Sequence, residues 1–190
     1  MVDQVSALKS HFVVGHSGVA GKSAVMLEEI HDFSLMQIAA WPENLADVGQ
    51  VLAIATKAER APRPNTAIVG QAATLLRTEP LKYWIVNQNA HLDLPNISED
   101  DGSVLDITHS RTWIRVTGDQ AVGFLNHFLP LDLRDGAFPV GCLASSAIHH
   151  VGVSLWHSEE GYNLFIPRGF VVSIWEILCD TAQQYGLEVK

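Results

Sequence analysis

The C-terminal end of the chain carries the apolar pattern that most limits the possible folds. Apolar residues recur there at intervals of three and four, which is the spacing of one helix face: Val171, Ile174, Leu178, Ala182 and Tyr185. Gly186 follows, in the place where a glycine commonly ends a helix. The pattern predicts an amphipathic helix with the first four of these residues on a buried face.

Strand patterns dominate the rest of the chain. Short apolar or alternating segments predict strands at about residues 34–40, 81–86, 104–108, 112–117, 143–148, 151–157 and 162–166. Two further segments have helical spacing, one from Pro42 through Leu52 to Ala55 and one from Gly118 through Phe124 to Phe128. Because strands and helices do not alternate regularly, the fold class is predicted as α+β, with a mixed or antiparallel sheet and helices on one face.

The pattern also indicates a weak internal duplication. Residues 36–55 and 114–129 both read as a strand followed by a helix, and the strands at 83–86 and 162–166 correspond in the same way. Residues 1–32 show no sustained period. We therefore expect an N-terminal arm over residues 1–32 and a single domain over 33–190, with halves at about 33–90 and 104–190.

The composition favours a surface that a partner covers. Of the 190 residues only 17% are charged, against about 25% in an ordinary soluble domain, while 47% are hydrophobic and five are tryptophan. Lys and Arg total 12 and Asp and Glu total 21, for a net charge of −9. This balance argues against nucleic-acid binding, which needs clustered cations.

The cysteines and the apolar segments indicate in which cellular compartment the protein is expected. Cys142 and Cys179 have neither a disulfide-framework nor a zinc spacing. The early apolar run at residues 12–14 is too short for a signal peptide, and no segment approaches the ~18 apolar residues of a membrane helix. The expected setting is the cytoplasm, with reduced thiols.

A glycine-rich segment at residues 15–23 is similar to a phosphate-binding loop. It reads GHSGVAGKS, in which Lys22 would reach the terminal phosphate. The motif requires a glycine five residues before Gly21, but that position is His16. Since the loop wraps phosphate by its backbone geometry, one extra residue removes the site, and we interpret the segment as a glycine-rich arm.

Other candidate sites also have simpler interpretations. The nine histidines show no metal-ligand spacing: His11, His16, His31, His91, His109, His127, His149, His150 and His157. Asp106, His109 and Ser110 have the residue types of a hydrolytic triad, but with Arg111 they fit a tight turn between two strands better. Glu99, Asp100 and Asp101 next to Gly102 fit a solvated acidic turn. Trp84, Trp113 and Trp156 fit a core or an interface. We therefore predict no catalytic, cofactor-binding or metal-binding residues in this chain.

A series of short motifs resembles the gamma subunit of heterotetrameric sarcosine oxidase over about residues 105–186. Their order is LDITHSRT at 105–112, IRVTG at 114–118, PLDL at 130–133, AFP at 137–139, Gly141, LFIPRGF at 164–170 and WE at 175–176. Residues 25–29 (VMLEE) and 34–40 (SLMQIAA) resemble the N-terminal region of that family, and PLKYW at 80–84 is a weaker middle match.

The resemblance implies a fold similar to the folate-binding domain of glycine-cleavage aminomethyltransferases. It also implies a non-catalytic subunit of a cytoplasmic complex with alpha, beta and delta partners. FAD, FMN, NAD, zinc and tetrahydrofolate would all lie in those partners. Such a complex oxidises sarcosine to glycine, releasing hydrogen peroxide and either formaldehyde or methylene-tetrahydrofolate.

Two alternatives remain open at the level of sequence. The chain could be the gamma subunit of a related N-methyl amino acid dehydrogenase or oxidase, or a free-standing folate-dependent protein of aminomethyltransferase type. A folate site needs a carboxylate that holds the pterin ring, and no acid here stands in a matching motif. The genomic neighbourhood would separate these classes, because a subunit is expected beside genes for its partners.

The imperfect loop at residues 15–23 leads to a prediction for the isolated chain. We expect the purified chain to bind no flavin, NAD or nucleotide. Absorbance between 350 and 500 nm and equilibrium binding of ATP would check this. A stoichiometric yellow chromophore, or ATP binding that Lys22→Ala abolishes, would contradict it.

Overall fold

Strands arranged in two sheets account for most of the structure. The computed structural model describes residues 5–19, 24–88, 92 and 94–190, and this part of the chain holds twelve strands and three α-helices. The α+β class is therefore confirmed, although the strands form two sheets where the sequence predicts one. None of the described helices is long and apolar enough to cross a membrane.

The elements follow one another in an irregular order. The strands are β1 (Gly15–Ser17), β2 (Val25–Ile30), β3 (Ser34–Ala40), β4 (Thr66–Val69), β5 (Thr74–Glu79), β6 (Lys82–Asn87), β7 (Gly102–Asp106), β8 (Arg111–Thr117), β9 (Leu143–Ile148), β10 (Val151–Ser158), β11 (Gly161–Pro167) and β12 (Leu187–Val189). The helices are α1 (Leu45–Thr56), α2 (Ala121–Leu125) and α3 (Val171–Ala182).

The chain divides into two compact units. The first contains the described residues of segments 1–31, 109–140 and 145–190, and it holds most of a seven-stranded sheet with the order β1-β12-β2-β8-β11-β10-β9. This sheet is mixed, because β12 runs parallel to β2 while β8 is antiparallel to both β2 and β11.

The second unit contains Gly141–Ala144 and the described residues of Asp32–Thr108. Its sheet has five strands in the order β4-β5-β6-β3-β7. Helix α1 contributes Val48 and Leu52 to a core that also contains Ile38, Leu75 and Ile85 from three strands. These side chains are buried because the apolar face of the helix packs against the apolar face of the strands.

Both units contain the same strand and helix order, which confirms the predicted duplication. The succession β3-α1-β4-β5-β6 gives the strand order β4-β5-β6-β3, and the succession β8-α2-β9-β10-β11 gives β9-β10-β11-β8. In each unit, a strand and a helix are thus followed by a three-stranded meander. The last strand of the meander pairs with the strand that precedes the helix.

Helix α3 confirms the C-terminal prediction. Val171, Ile174, Leu178 and Ala182 are all buried, and Trp175 joins them on the same face. After the helix ends at Ala182, Gly186 takes a φ of +84°, which a glycine adopts without steric cost. The helix predicted from Gly118 to Phe128 is shorter than expected. Its helical part, α2, ends at Leu125, and tight turns follow it.

The N-terminal arm is the main correction to the sequence-based prediction. Residues 25–30 form β2, an interior strand of the seven-stranded sheet, with Val25 and Leu27 fully buried. The pair Glu28-Glu29 disguises this strand in the sequence. Glu29 is buried because Ser6 Oγ lies 2.8 and 2.7 Å from its two carboxylate oxygens and donates a hydrogen bond to it. Strands β1, β4, β5 and β12 were also not predicted, and β1 lies in the segment interpreted as a glycine-rich arm.

The buried face of α3 leads to a stability prediction. Leu178→Ala should lower the free energy of unfolding by ~2–5 kcal/mol, because it leaves a cavity where a fully buried side chain packs. Ser173→Ala, an exposed position on the same helix, is the matched control and should change it by less than ~0.5 kcal/mol. Denaturant titration of both variants measures the difference. Equal, small effects of the two variants would show that this face of α3 does not pack in the core.

Candidate functional site

An open groove of about 450 Å³ lies in the first unit, beside the N-terminal segment, α3 and β12. Val13, Val14 and His11 line one side, and Glu176, Cys179 and Asp180 of α3 line the other. Its volume falls within the usual range for small-molecule sites. Whether it can act as one depends on how its polar groups are held.

The N-terminal wall of the groove is fixed by contacts with α3. The indole of Trp175 donates a hydrogen bond from Nε1 to the carbonyl oxygen of His11 at 3.3 Å. The ring of Phe12 stacks on the same indole, with ring centroids 5.1 Å apart. Further along, β1 pairs with β12 in antiparallel register. The sequence pattern does not indicate this wall, because its contacts join residues more than 160 positions apart.

The groove contains one exposed ion pair and one thiol with a raised pKa. His11 Nδ1 lies 3.6 Å from Glu176 Oε1, but the Glu176 side chain is 60% exposed, so water screens the pair. Burial, and to a lesser extent the charge of Asp180, raises the pKa of the Cys179 thiol to about 12. The thiol therefore stays protonated at neutral pH, and a protonated thiol is a poor nucleophile.

The described part of the glycine-rich segment, residues 15–19, differs from the start of a phosphate-binding loop. Residues 15–17 form strand β1, and the next described element is strand β2. A phosphate-binding loop instead leads into a helix, whose N-terminal amides hold the phosphate. Gly21, Lys22 and Ser23 lie outside the described residues.

The histidines are distributed over both units and mostly take structural positions. His149 has a φ of +52° and occupies, with His150, the tight turn between β9 and β10, rather than a strand. His157 stacks on Tyr162 at a centroid distance of 4.2 Å. His91 lies outside the described residues. Within the described part of the chain, no three His, Cys, Asp or Glu side chains gather as metal ligands.

Asp106, His109 and Ser110 do not form a catalytic triad. The Asp106 carboxylate accepts a hydrogen bond from the backbone N–H of Thr108 at 2.9 Å. Residues 108–110 form one turn of 3₁₀ helix between β7 and β8, and the side chains of His109 and Ser110 are exposed. The tight turn predicted for this segment is confirmed.

The acidic turn at residues 99–101 contains one anchored and two solvated carboxylates. Asp101 accepts hydrogen bonds from Ser98 Oγ at 2.7 Å and from Asn44 Nδ2 at 2.6 Å, and these bonds lower its pKa. Glu99 and Asp100 are exposed, as the sequence predicts.

Two further sets of residues have structural or surface positions. Trp84, Trp113 and Trp156 are buried, which confirms their interpretation as core residues. Asp132 lies at the surface, where a hydrogen bond from Arg134 lowers its pKa to about 2 and keeps it charged at neutral pH.

Comparison with known proteins shows the fold. No family model and no curated protein sequence matches this chain. Among solved structures, it is similar to a chain of the heterotetrameric sarcosine oxidase from Corynebacterium sp. U-96, solved in complex with pyrrole 2-carboxylate. The TM-score is 0.74 and the sequence identity 21%, and the match covers 88% of each chain.

A second similar structure is the glycine cleavage system aminomethyltransferase T from Bartonella henselae. The TM-score is 0.59 at 11% identity, and the match covers 96% of this chain but only 57% of the enzyme. The chain therefore has the α+β fold of an aminomethyltransferase folate-binding domain and spans little more than half of that enzyme. The sequence motifs resemble a subunit of heterotetrameric sarcosine oxidase, and one of the structures with a similar fold is a chain of such an oxidase.

The environment of Cys179 leads to a prediction on reactivity. In a Cys142→Ala background, iodoacetamide should alkylate Cys179 of the native chain about a thousandfold more slowly at pH 8 than in the urea-unfolded chain. The reason is that a pKa of about 12 leaves only a small thiolate fraction. Mass spectrometry of timed samples measures the rates. Comparable rates in the two states would mean that the groove activates the thiol.

Proposed function

We propose that this chain is the gamma subunit of a heterotetrameric sarcosine oxidase and that its role in the complex is structural. The observation that carries the proposal is the likeness to a chain of such an oxidase over 88% of both chains. A match of this extent in both directions is expected for equivalent subunits, whereas a shared domain inside a larger enzyme would leave much of one chain uncovered. The motifs at residues 105–186 support the same assignment.

In this proposal, the chemistry takes place in the alpha, beta and delta subunits. The complex would oxidise sarcosine to glycine, with hydrogen peroxide and either formaldehyde or methylene-tetrahydrofolate as products. FAD, FMN, NAD, zinc and tetrahydrofolate would be held by those partners in the cytoplasm. This chain would contribute surface for assembly and no catalytic residue.

The use of polar groups within the chain supports a structural role. The buried Asn163 amide bonds to Trp113 and Ser158, and the buried Glu29 carboxylate bonds to Ser6. The Asn163 bonds join neighbouring strands and the Glu29 bond joins the N-terminal segment to β2, so these groups are occupied within the fold. The Cys179 thiol, as described above, is protonated.

The surface also suits a subunit better than a free protein. Large apolar side chains remain exposed in both units, and they are Val5, Val13, Val14, Val19, Trp41, Val51, Ile54, Val69, Leu81, Val104, Leu105, Val140 and Phe170. Single exposed apolar residues are ordinary, but this number on a chain with only 17% charged residues resembles the composition of a permanent interface.

A free-standing folate-dependent protein is the second candidate, because the fold is also that of an aminomethyltransferase. Recognition of a pterin requires a fixed and desolvated carboxylate. In the groove of the first unit, the side chain of Glu176 is 60% exposed and pairs with His11, and Asp180 is also exposed. The groove therefore does not fit folate. Calorimetric titration with tetrahydrofolate separates this candidate from the first.

A gamma subunit of a related N-methyl amino acid dehydrogenase or oxidase remains the closest variant of the proposal. It would share the fold and the assembly role, and it would differ only in the substrate of the partner subunits. Turnover of the assembled complex with sarcosine and with other N-methyl amino acids distinguishes the two.

Reconstitution of the complex tests the structural role. We expect His109→Ala, Ser110→Ala and Asp132→Asn each to leave kcat and kcat/KM of the assembled oxidase within about twofold of the unmodified complex, because these exposed groups serve turns. Omission of the chain should reduce recovery of the assembled complex. A loss of a hundredfold or more in turnover with assembly intact would place this chain in an active site.

A further inference from the structure

The two edges of the five-stranded sheet in the second unit differ in whether another described segment covers them. At one edge, β4 is covered by the segment Gly141–Ala144. The N–H of Ala67 donates to the carbonyl of Gly141 at 2.8 Å, and the N–H of Leu143 donates to that of Asn65 at 2.9 Å. At the other edge, no strand of the described residues pairs with the outer side of β7.

The register of β7 shows which of its backbone groups point outward. The N–H of Ile107 bonds to the carbonyl of Leu35, and the N–H of Trp41 bonds to that of Asp101. In an antiparallel pair the bonded residues alternate, so Ser103 and Leu105 also face β3. The N–H and C=O of Val104 therefore point away from the sheet, as an edge that can accept a further strand.

The side chains of this edge are apolar and exposed. Val104 is 40% exposed, Leu105 is 56% exposed and the nearby Trp41 is 45% exposed. Strand β7 carries no lysine, proline or bulge, which are the usual devices that prevent a sheet edge from pairing with another chain. An edge of this kind is expected to be covered in the functional assembly.

Negative charge borders the same edge. Glu99 and Asp100 lie in the turn just before β7, and no cation of the described residues forms an ion pair with them. The backbone of this turn is held in place, because Trp41 Nε1 donates to the carbonyl of Glu99 at 2.8 Å and Asn44 Nδ2 donates to that of Asp100 at 3.1 Å. A partner segment that lies along β7 would thus meet two exposed carboxylates on an anchored turn.

We propose that the outer edge of β7 is the docking site for an extended segment of a partner subunit. The segment adds a sixth strand beside β7, covers Val104 and Leu105 with apolar side chains, and places a lysine or arginine against Glu99 and Asp100. The backbone bonds position the segment, and the charges select it. This inference rests on the proposed function, since it takes the occupant to be another subunit of the oxidase.

A matched pair of variants at Val104 tests the backbone contact. Val104→Pro removes the outward N–H without removing a bond to β3, and proline is tolerated at such edge positions. Val104→Thr keeps the N–H and the side-chain shape. With partner subunits purified without this chain, Val104→Pro should weaken binding by about tenfold or more and Val104→Thr by less than about threefold. Circular dichroism checks that both variants fold.

Hydrogen exchange of the unmodified chain tests the same contact without a mutation. The amide of Val104 should exchange at least about tenfold more slowly in the assembled complex than in the isolated chain, while the amide of Ser103, bonded to β3, is protected in both. Glu99→Gln with Asp100→Asn should weaken binding and reduce its salt dependence.

The outcomes separate the two proposals. If the complex assembles but the Val104 amide stays unprotected and Val104→Pro binds normally, the docking site is wrong and the proposed function stands. If no complex forms with the partner subunits, both fail. If the isolated chain forms a dimer that Val104→Pro abolishes, the occupant is a second copy of this chain, and the assignment to a partner subunit is overturned.

Discussion

The register of both sheets depends on a hydrogen bond between an indole and a side-chain amide on the neighbouring strand. Trp84 Nε1 donates to Gln37 Oε1 at 3.2 Å across β3 and β6, and Trp113 Nε1 donates to Asn163 Oδ1 at 2.9 Å across β8 and β11. A slip of one residue would break both bonds, and in the first unit it would leave the fully buried Asn163 amide without its indole partner. The same device thus fixes the equivalent strand pair in each unit.

In the first unit, every further pairing builds on this central register. Strand β2 pairs with β8, β12 lies parallel to β2, and β1 closes the series on β12. The groove lies at the end of that series, where the stacking of Phe12 on Trp175 holds its wall. The described N-terminal residues are therefore part of the sheet and its surroundings. Their removal would take away one wall of the groove and the hydrogen bond of Ser6 to the buried Glu29.

The sequence predicts the elements whose pattern is local and long. Helix α3 and strands β8, β10 and β11 follow from apolar period alone. Strands β1 and β12 have three residues each, and their pairing joins positions 170 or more apart, so no local pattern indicates them. Strand β2 is hidden because Glu29 is buried through its bond to Ser6, a contact that periodicity cannot reveal. For the same reason the groove and the exposed edge of β7 were not predicted, while the turns at residues 99–101 and 108–110 were.

In the proposed function, this chain is a subunit whose polar groups stabilise its own fold and whose exposed apolar surface is covered by partners. The most direct test is native mass spectrometry of the complex recovered from the source cells through an affinity tag on this chain. The expected result is one assembly that contains this chain and three different partner chains, together with bound flavin. Recovery of the chain alone, or only with copies of itself, under conditions that keep the partner subunits assembled with one another would contradict it.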